Sequence, residues 1–301
     1  MELVEDDGSK EITGRAQSSI AKFGYAPEHN LEWFHIYSSP KEKRYFAFWP
    51  GGEMLFLTRR KKEWCTFSEP IAPILDGGRK IIDFCGEVFK SPETEKFWTE
   101  VSETVRRQIL QLMPKNLRAR PIAYTLVWPI MNMDKFDPAL PGSHFKSIRN
   151  AKSKFYREHK VEILDISKTP KEELYRIVDE WKKHRKYGDR AYAHEYHSII
   201  DANFRCAKTA RAMIVGGRVV GFNAGWPIPN STDFYAAIGI HDYSVHDLGL
   251  MLYLEDLEWL KKAGYKTVDM GGVEKGSPLD FKKQFLPARY YKTFVFSIGR
   301  K

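Results

Sequence analysis

Residues 234–270 read FYAAIGIHDYSVHDLGLMLYLEDLEWLKKAGYKTVDM. The aromatic and aliphatic run Phe234–Ile240 has the composition of a strand and ends at His241-Asp242. Ser244-Val245-His246-Asp247-Leu248-Gly249-Leu250-Met251 then leads into an apolar helix through Lys262, which Gly264 stops. Lys266–Met270 is the next strand. A strand, a short loop holding glycine and a helix N-terminus present unpaired backbone N–H groups and a positive dipole end, an arrangement suited to a phosphate or pyrophosphate. One glycine without a Walker or dinucleotide fingerprint is equally an ordinary strand-to-helix turn. The order of elements around it favours the anion-binding reading.

Working outward, Ala212–Val215 and Arg218–Ala224 flank Gly216-Gly217, the signature of a two-residue primed-turn hairpin. Downstream, Arg289, Tyr290, Tyr291 and the strand Lys292–Ile298 finish the sheet. With 301 residues the chain exceeds what one core serves, so two domains of roughly 150 residues each are expected. The densest Pro/Gly cluster, Asp137–Ser143, places the junction between a domain of residues 1–140 and one of residues 141–301. The first half reads as a polar tail, then three short strands at Arg44–Trp49, Glu53–Thr58 and Glu63–Phe67, the first two joined at Pro50-Gly51-Gly52. A helix follows through Ile81–Phe89, another carries Phe97, Trp98, Val101, Val105, Ile109 and Leu112, and the strand Ile122–Trp128 ends at Pro129. The fold class is α/β (α+β), mixed sheets flanked by helices.

Hydrophobic residues at 43% suffice for cores and 29% charged residues for a wet surface, so the chain is globular. No apolar stretch approaches the ~18–20 residues of a spanning helix, and the acidic start MELVEDDGSKEITGR has no signal-peptide core. Cys65, Cys85 and Cys206 fit no metal or nucleophile pattern and read as reduced thiols, which together place the chain in the cytoplasm. The net charge of +9 suits a polyanionic partner such as RNA, a phosphorylated cofactor or anionic lipid, without choosing among them.

Ser143 is placed to cap a helix over His144–Lys160, with Phe145, Ile148, Ala151 and Phe155 on one face. On a wheel of about 100° per residue, Lys146, Arg149, Arg157 and Lys160 group on another, as a phosphate-binding rail or as a solvated surface. Then Val161–Ile166 reads as a strand and Glu172–Arg185 as a helix. His184–His197, HRKYGDRAYAHEYH, reads as a polar loop at a site wall or on the surface; His194 and His197 lack a third ligand for a metal.

Hairpin, strand, glycine loop, helix and strand, in that order, resemble the GNAT superfamily. In that likeness the pyrophosphate loop spans His246, Asp247, Leu248, Gly249 and Leu250, with His246 in the place of a basic residue or glutamine and Met251 where a small residue is usual. Phe67-Ser68-Glu69-Pro70, Pro141–Phe155 (PGSHFKSIRNAKSKF), Asp247–Met251 and Asp280–Phe285 (DFKKQF) carry a closer likeness over nearly the whole chain. By these stretches it resembles the soluble C-terminal part of phosphatidylglycerol lysyltransferases (the DUF2156 family), a tandem-GNAT family related in fold to Fem aminoacyltransferases. The resemblance implies two GNAT-like domains, each a largely antiparallel sheet flanked by helices. It also implies transfer of an aminoacyl group from aminoacyl-tRNA, or of an acyl group from acetyl- or acyl-CoA, onto an amine or hydroxyl. No tightly bound cofactor is expected. With no membrane half, the expected acceptor is a small molecule or peptide, and the basic helix, Arg149 first, faces tRNA.

Direct acyl transfer needs a base for the attacking group and a stabiliser for the oxyanion. His241 and Asp242 are placed as base and orienter, or as turn residues. Asp269 precedes Gly271-Gly272, where a substrate can approach the backbone, and is otherwise a turn aspartate. Lys282 and Lys283 follow Leu279 and Phe281, so one should point inward; the resemblance puts this stretch beside the donor site, where a lysine holds phosphate or the oxyanion. Tyr290 or Tyr291 is a general acid or a packed strand residue. The basic helix, the charge and the departures at His246 and Met251 favour the tRNA donor over CoA. A non-catalytic RNA- or peptide-binding module on the same fold is the third reading.

Overall fold

The computed structural model describes residues 1–39, 42–185 and 192–301. Compactness divides the chain into one unit of Met1–Pro129, Ile228–Ser231 and Gly272–Lys301, and a second of Ile130–Pro227 and Thr232–Gly271. The junction expected at residues 140 and 141 lies inside the second unit, and the last strand groups with the first. Long-range strand pairing, which punctuation by proline and glycine does not report, is the physical reason.

In the first unit, β1 (Glu2–Glu5) and α1 (Lys10–Phe23) replace the expected polar tail. Ile12 and Ala16 recur one helical turn apart on the buried face of α1, and the Ser9 hydroxyl accepts the Ile12 N–H at 3.3 Å. α2 (Leu31–Tyr37) is capped by Asn30, whose side chain accepts the Trp33 N–H at 3.0 Å. β2 (Lys43–Phe48), β3 (Met54–Arg60), β4 (Glu63–Thr66) and α3 (Gly77–Val88) follow close to expectation. The single helix expected over Phe97–Leu112 is instead β5 (Lys96–Ser102) and α4 (Glu103–Leu112). Phe97, Thr99 and Val101 are buried at period two, whereas Val105 and Ile109 are buried at period four, so the periodicity changes at Ser102.

β6 (Leu117–Ala119) comes next, and β7 (Tyr124–Asn132) runs on through Pro129. The first unit also owns the C-terminal α9 (Ser277–Lys283) and β13 (Arg289–Arg300). Its strand order is β1-β2-β3-β4-β5-β13-β7, with β6 on β13. β4 and β5 pair in parallel, while β1–β2, β2–β3, β3–β4, β5–β13 and β6–β13 are antiparallel. Strict alternation sorts the side chains. Ala47, Leu55 and Leu57 join the core under α3 and α4, whereas Phe46, Phe48, Met54 and Phe56 pack on the other face with Ile12, Ala16 and Phe34. Phe34 stacks on Phe56 with centroids 4.6 Å apart, each such buried ring contributing about 1.5–3 kcal/mol.

The second unit holds α5 (Lys146–Glu158), β8 (Val161–Asp165), α6 (Lys171–Lys183), α7 (Ala193–Asp201), β9 (Thr209–Val215), β10 (Arg218–Pro227), β11 (Asp233–His241), α8 (Leu248–Lys262) and β12 (Thr267–Asp269). The end of β7 pairs with β12, and the order continues β11-β10-β9-β8. β11 and β12 are parallel; β8–β9, β9–β10 and β10–β11 are antiparallel. Gly216 and Gly217 turn the β9–β10 hairpin with φ of 57° and 80°, as a primed turn requires. Along β10, Val220 and Phe222 alternate with Gly221 and Asn223; Phe222 meets Phe204 edge-on, while Asn223 donates to the Leu252 carbonyl of α8 at 3.4 Å. Each unit thus has a mixed, largely antiparallel sheet flanked by helices. Among the described residues no helix is long and apolar enough to cross a membrane.

Candidate functional site

In the second unit, β11 delivers His241 and Asp242 to the start of α8. Asp247, the residue before the helix, has a left-handed φ of 60°, and its carboxylate bonds the exposed His246 ring at 2.9 Å instead of capping the helix. The N–H of Leu248 reaches the Val245 carbonyl at 3.3 Å and that of Met251 reaches the Asp247 carbonyl at 3.0 Å. Gly249 and Leu250, between them in the first turn, have no helical carbonyl to receive their N–H groups. A Cβ on Gly249 would lie 2.8 Å from Cε1 and 2.9 Å from Nε2 of His241, so glycine here admits the imidazole against the helix start.

Burial pushes the His241 pKa down to about 4, and Arg185 adds to this against the opposing charge of Asp242. The ring, 4.5 Å from that of Tyr243, is neutral at pH 7. Asp242 is buried; burial pushes its carboxyl up, but the hydroxyl and amide of Ser244, then Arg218 and Arg176, outweigh this and hold it below the usual range. Its Oδ1 accepts the Ser244 N–H at 2.8 Å and its Oδ2 lies 3.8 Å from Arg218. Among the described residues, Asp242 acts on His241 through its charge and not through a hydrogen bond.

The basic helix is shorter than expected. His159 takes an extended φ of −128° and ends α5 at Glu158, so Lys160 stands on the connection to β8, 3.4 Å from Glu162. Phe145 is the N-cap, without a side-chain bond, so Ser143 does not cap the helix. Arg149 donates to the carbonyl of Gly142 at 2.7 Å and to that of Leu140, pinning the Pro/Gly loop whose Leu140 is left-handed at φ 52°. Lys152 pairs with Glu258 of α8. Lys146, Arg157 and Lys160 remain exposed to solvent. α7 carries both His194 and His197, and His197 lies 3.0 Å from Asp179. Residues 186–191 of the expected polar loop lie outside the described residues.

Asp269 is 2% exposed and its Oδ1 accepts the Gly271 N–H at 2.9 Å. At Gly272 the close neighbour is the Trp128 indole, 2.5 Å from where a Cβ would stand; the glycine makes room for that ring, not for a substrate. Lys282 is buried, while Lys283 is exposed and pairs with Asp280 at 2.9 Å. Tyr291 stacks on Trp128 with centroids 5.5 Å apart, and Tyr290 is exposed.

The first unit contains a pocket of about 50 Å³ that sequence reading did not find, with Glu69, Glu100, Ser68, Trp128, Tyr291 and Thr293 in its wall. It opens where the parallel pairing of β4 and β5 stops, after Cys65↔Trp98. Glu69 spans the gap: its Oε1 accepts the Ser102 N–H and its Oε2 the Tyr25 hydroxyl at 2.9 Å. Its carbonyl accepts the Nε2–H of His29 at 3.0 Å, while Nδ1 of His29 accepts the N–H groups of Tyr25 and Ala26 at 3.0 and 3.3 Å. Burial pushes the His29 pKa down to about 4, so this brace is uncharged.

Trp128 Nε1 donates to Thr293 Oγ1 at 2.8 Å, and Thr293 donates to Glu100 Oε1 at 2.5 Å. Because indole is only a donor, it orients the threonine proton toward Glu100. Burial, then the charge of Glu69, raises the Glu100 pKa against the Thr293 bond. The signal for this pocket was present in Phe67–Pro70 and in the period-two run around Glu100, but their meeting depends on strand pairing.

The family model described as "Phosphatidylglycerol lysyltransferase, C-terminal" matches residues 27–280. No curated protein matches the sequence. Among solved structures, L-PGS from Bacillus licheniformis superposes with a TM-score of 0.70 at 13% identity, over 99% of this chain and 93% of that one. The C-terminal domain (DUF2156) of an Agrobacterium fabrum protein assigned as a lysylphosphatidylglycerol synthetase gives 0.68 at 15% identity, over 96% and 91%. FemX gives 0.65 at 11% identity, over 99% and 97%. At these identities the likeness is one of fold, and it agrees with the GNAT-like architecture of both units.

Proposed function

The chain belongs to the phosphatidylglycerol lysyltransferase C-terminal family, a family of transferases, and from that premise we propose that it moves an aminoacyl group from aminoacyl-tRNA to an amine or hydroxyl. The family match over residues 27–280 carries this reading. The acceptor attacks the ester carbonyl directly; the new C–N or C–O bond forms, the ester C–O bond to the tRNA ribose breaks, and the acceptor's proton ends on the departing ribose oxygen. No covalent enzyme intermediate is required.

In this proposal neutral His241 receives the proton, Asp242 stabilises the imidazolium through its charge, and the open amides of Gly249 and Leu250 take a donor phosphate beside His246, Asp247 and Leu248. Asp269, of the same unit, orients the acceptor. Lys146, Arg157 and Lys160 attract the tRNA backbone while Arg149 holds the loop before α5, and the acceptor is a soluble small molecule or peptide in the cytoplasm. Acetyl- or acyl-CoA is the second donor reading, favoured by the glycine-bearing start of α8.

The test is incubation of the purified chain with charged tRNAs or with acetyl-CoA, each with a panel of amines and amino alcohols, and mass spectrometry of the products. Aminoacylated acceptor from charged tRNA is expected. Acetylated acceptor with no aminoacylated product overturns the tRNA reading, and no transfer from either, with salt-dependent RNA binding retained, favours the non-catalytic module.

A further inference from the structure

The pocket of the first unit has its own chemistry. Its wall carries Glu28, Glu69 and Glu100 and no lysine, arginine or histidine. Glu69 is fully engaged as a brace, each carboxylate oxygen holding one donor. Glu100 is half engaged: Thr293 fills Oε1, and among the described residues no donor reaches Oε2. A partly buried carboxylate with a free oxygen beside a second carboxylate is short of positive charge and of hydrogen-bond donors.

The same wall carries the Trp128–Tyr291 stack, whose ring planes lie 10° apart. Aromatic faces attract ammonium groups, by roughly 0.5–2 kcal/mol. The volume selects further, since one water needs ~10–15 Å³ by the same measure and about 50 Å³ takes an ammonium head with a short alkyl stem. A divalent cation fits less well, because among the described residues no set of three or more carboxylate, thiol or imidazole ligands comes together.

We propose that this pocket is a recognition site for a primary alkylammonium group, held by Glu100 Oε2 with Glu69 as the second charge and the Trp128–Tyr291 stack as its apolar wall. The Thr293 hydroxyl, turned by Trp128, keeps Glu100 presented to the ligand. Three donors on the ammonium match the free oxygen of Glu100 and the remaining lone pairs of Glu69 and Ser68, a count that an alcohol or a thiol cannot meet. The site does not depend on the transferase reading, because binding requires no donor.

The probe is n-propylammonium chloride, titrated into the full chain at pH 7.5 and followed by ligand-observed NMR and by the 1H–15N indole signal of Trp128, with 1-propanol and guanidinium chloride as matched probes. Saturable propylammonium binding that shifts the indole signal, and at least tenfold weaker binding of propanol, are expected. E100Q, which keeps the shape and removes the charge, should weaken propylammonium binding at least tenfold, whereas E87Q, at an exposed position of α3, should not. Thermal unfolding checks that E100Q is folded; if it is not, the wild-type comparison of propylammonium with propanol decides alone. Equal binding of propanol and propylammonium, guanidinium outcompeting propylammonium, no indole shift at 50-fold the concentration of protein, or a folded E100Q that binds like wild type each overturns the proposal.

Discussion

Gly249→Ala tests whether the start of α8 is shaped around His241. Helical propensity alone predicts a gain of up to ~1 kcal/mol, because alanine is the better helix former and the position has no left-handed φ. The added Cβ, however, would stand 2.8 Å from His241 Cε1, 2.9 Å from Nε2 and 3.3 Å from Nδ1, inside van der Waals contact along one edge of the ring. The imidazole cannot swing away freely, since it packs 4.5 Å from the Tyr243 ring. Overpacking of this kind costs ~1–3 kcal/mol, so a net loss of about 1 kcal/mol is expected, or roughly 2–4 °C in Tm. Gly239→Ala is the control: its Cβ would meet only Tyr253 Cε2, at an ordinary 3.8 Å, and stability should hold or rise.

Urea unfolding supplies the stabilities, and NMR titration of the His241 ring supplies a second readout. In the wild type this ring should stay neutral down to about pH 4, because burial depresses its pKa. Displacement toward solvent in Gly249→Ala should move that midpoint up toward its ordinary value of 6.5. A Gly249→Ala protein as stable as wild type, with His241 still titrating near 4, would refute the argument that glycine is required here for imidazole packing.

Further outcomes follow from the same geometry. Arg211 bonds buried Asp256 at 2.8 Å, and burial raises the Asp256 pKa; Arg211→Leu strands that carboxyl and should cost about 3–5 kcal/mol by urea unfolding, with the Arg211→Leu/Asp256→Leu double variant losing less than the single one. Because burial and Glu69 raise the folded pKa of Glu100, its contribution is complete below its ordinary 4.5 and is lost as pH rises through the folded value. Wild type should therefore lose stability relative to E100Q as pH climbs above about 4.5, and parallel pH profiles would count against the buried carboxylate. If Arg157 and Lys160 contact tRNA phosphate, replacing either with Ala should lower the slope of log K against log salt by about 0.7–0.9, and an unchanged slope removes that residue from the RNA face.

The strand, glycine turn and apolar helix of residues 234–264 were legible locally, because a period change and a stop at Gly264 lie within one stretch. So was the Gly216-Gly217 hairpin, whose residues alone permit both positive φ values. Family membership was also legible, since short motifs keep their order along the chain whatever their packing. Phe97–Leu112 misled because Phe97 and Val101 fit a helical spacing of four as well as a strand's alternation; only pairing with β13 makes the first part a strand.

Charge placement was read least well, because a helical wheel assumes the helix continues and its side chains are free. α5 ends before Lys160, and Arg149 spends its guanidinium on the loop carbonyls of Leu140 and Gly142. The two-carboxylate pocket had no reading in sequence at all. Glu69 follows the end of β4 and Glu100 lies on β5, so the two come together only because β4 and β5 run parallel, and Trp128, Tyr291 and Thr293 arrive from β7 and the far C-terminal β13. Periodicity and turn chemistry act over a few residues and so fix local elements and their order. Which charges meet, and which face water, depends on strand pairing between segments as distant in sequence as Phe97 of β5 and Ile298 of β13.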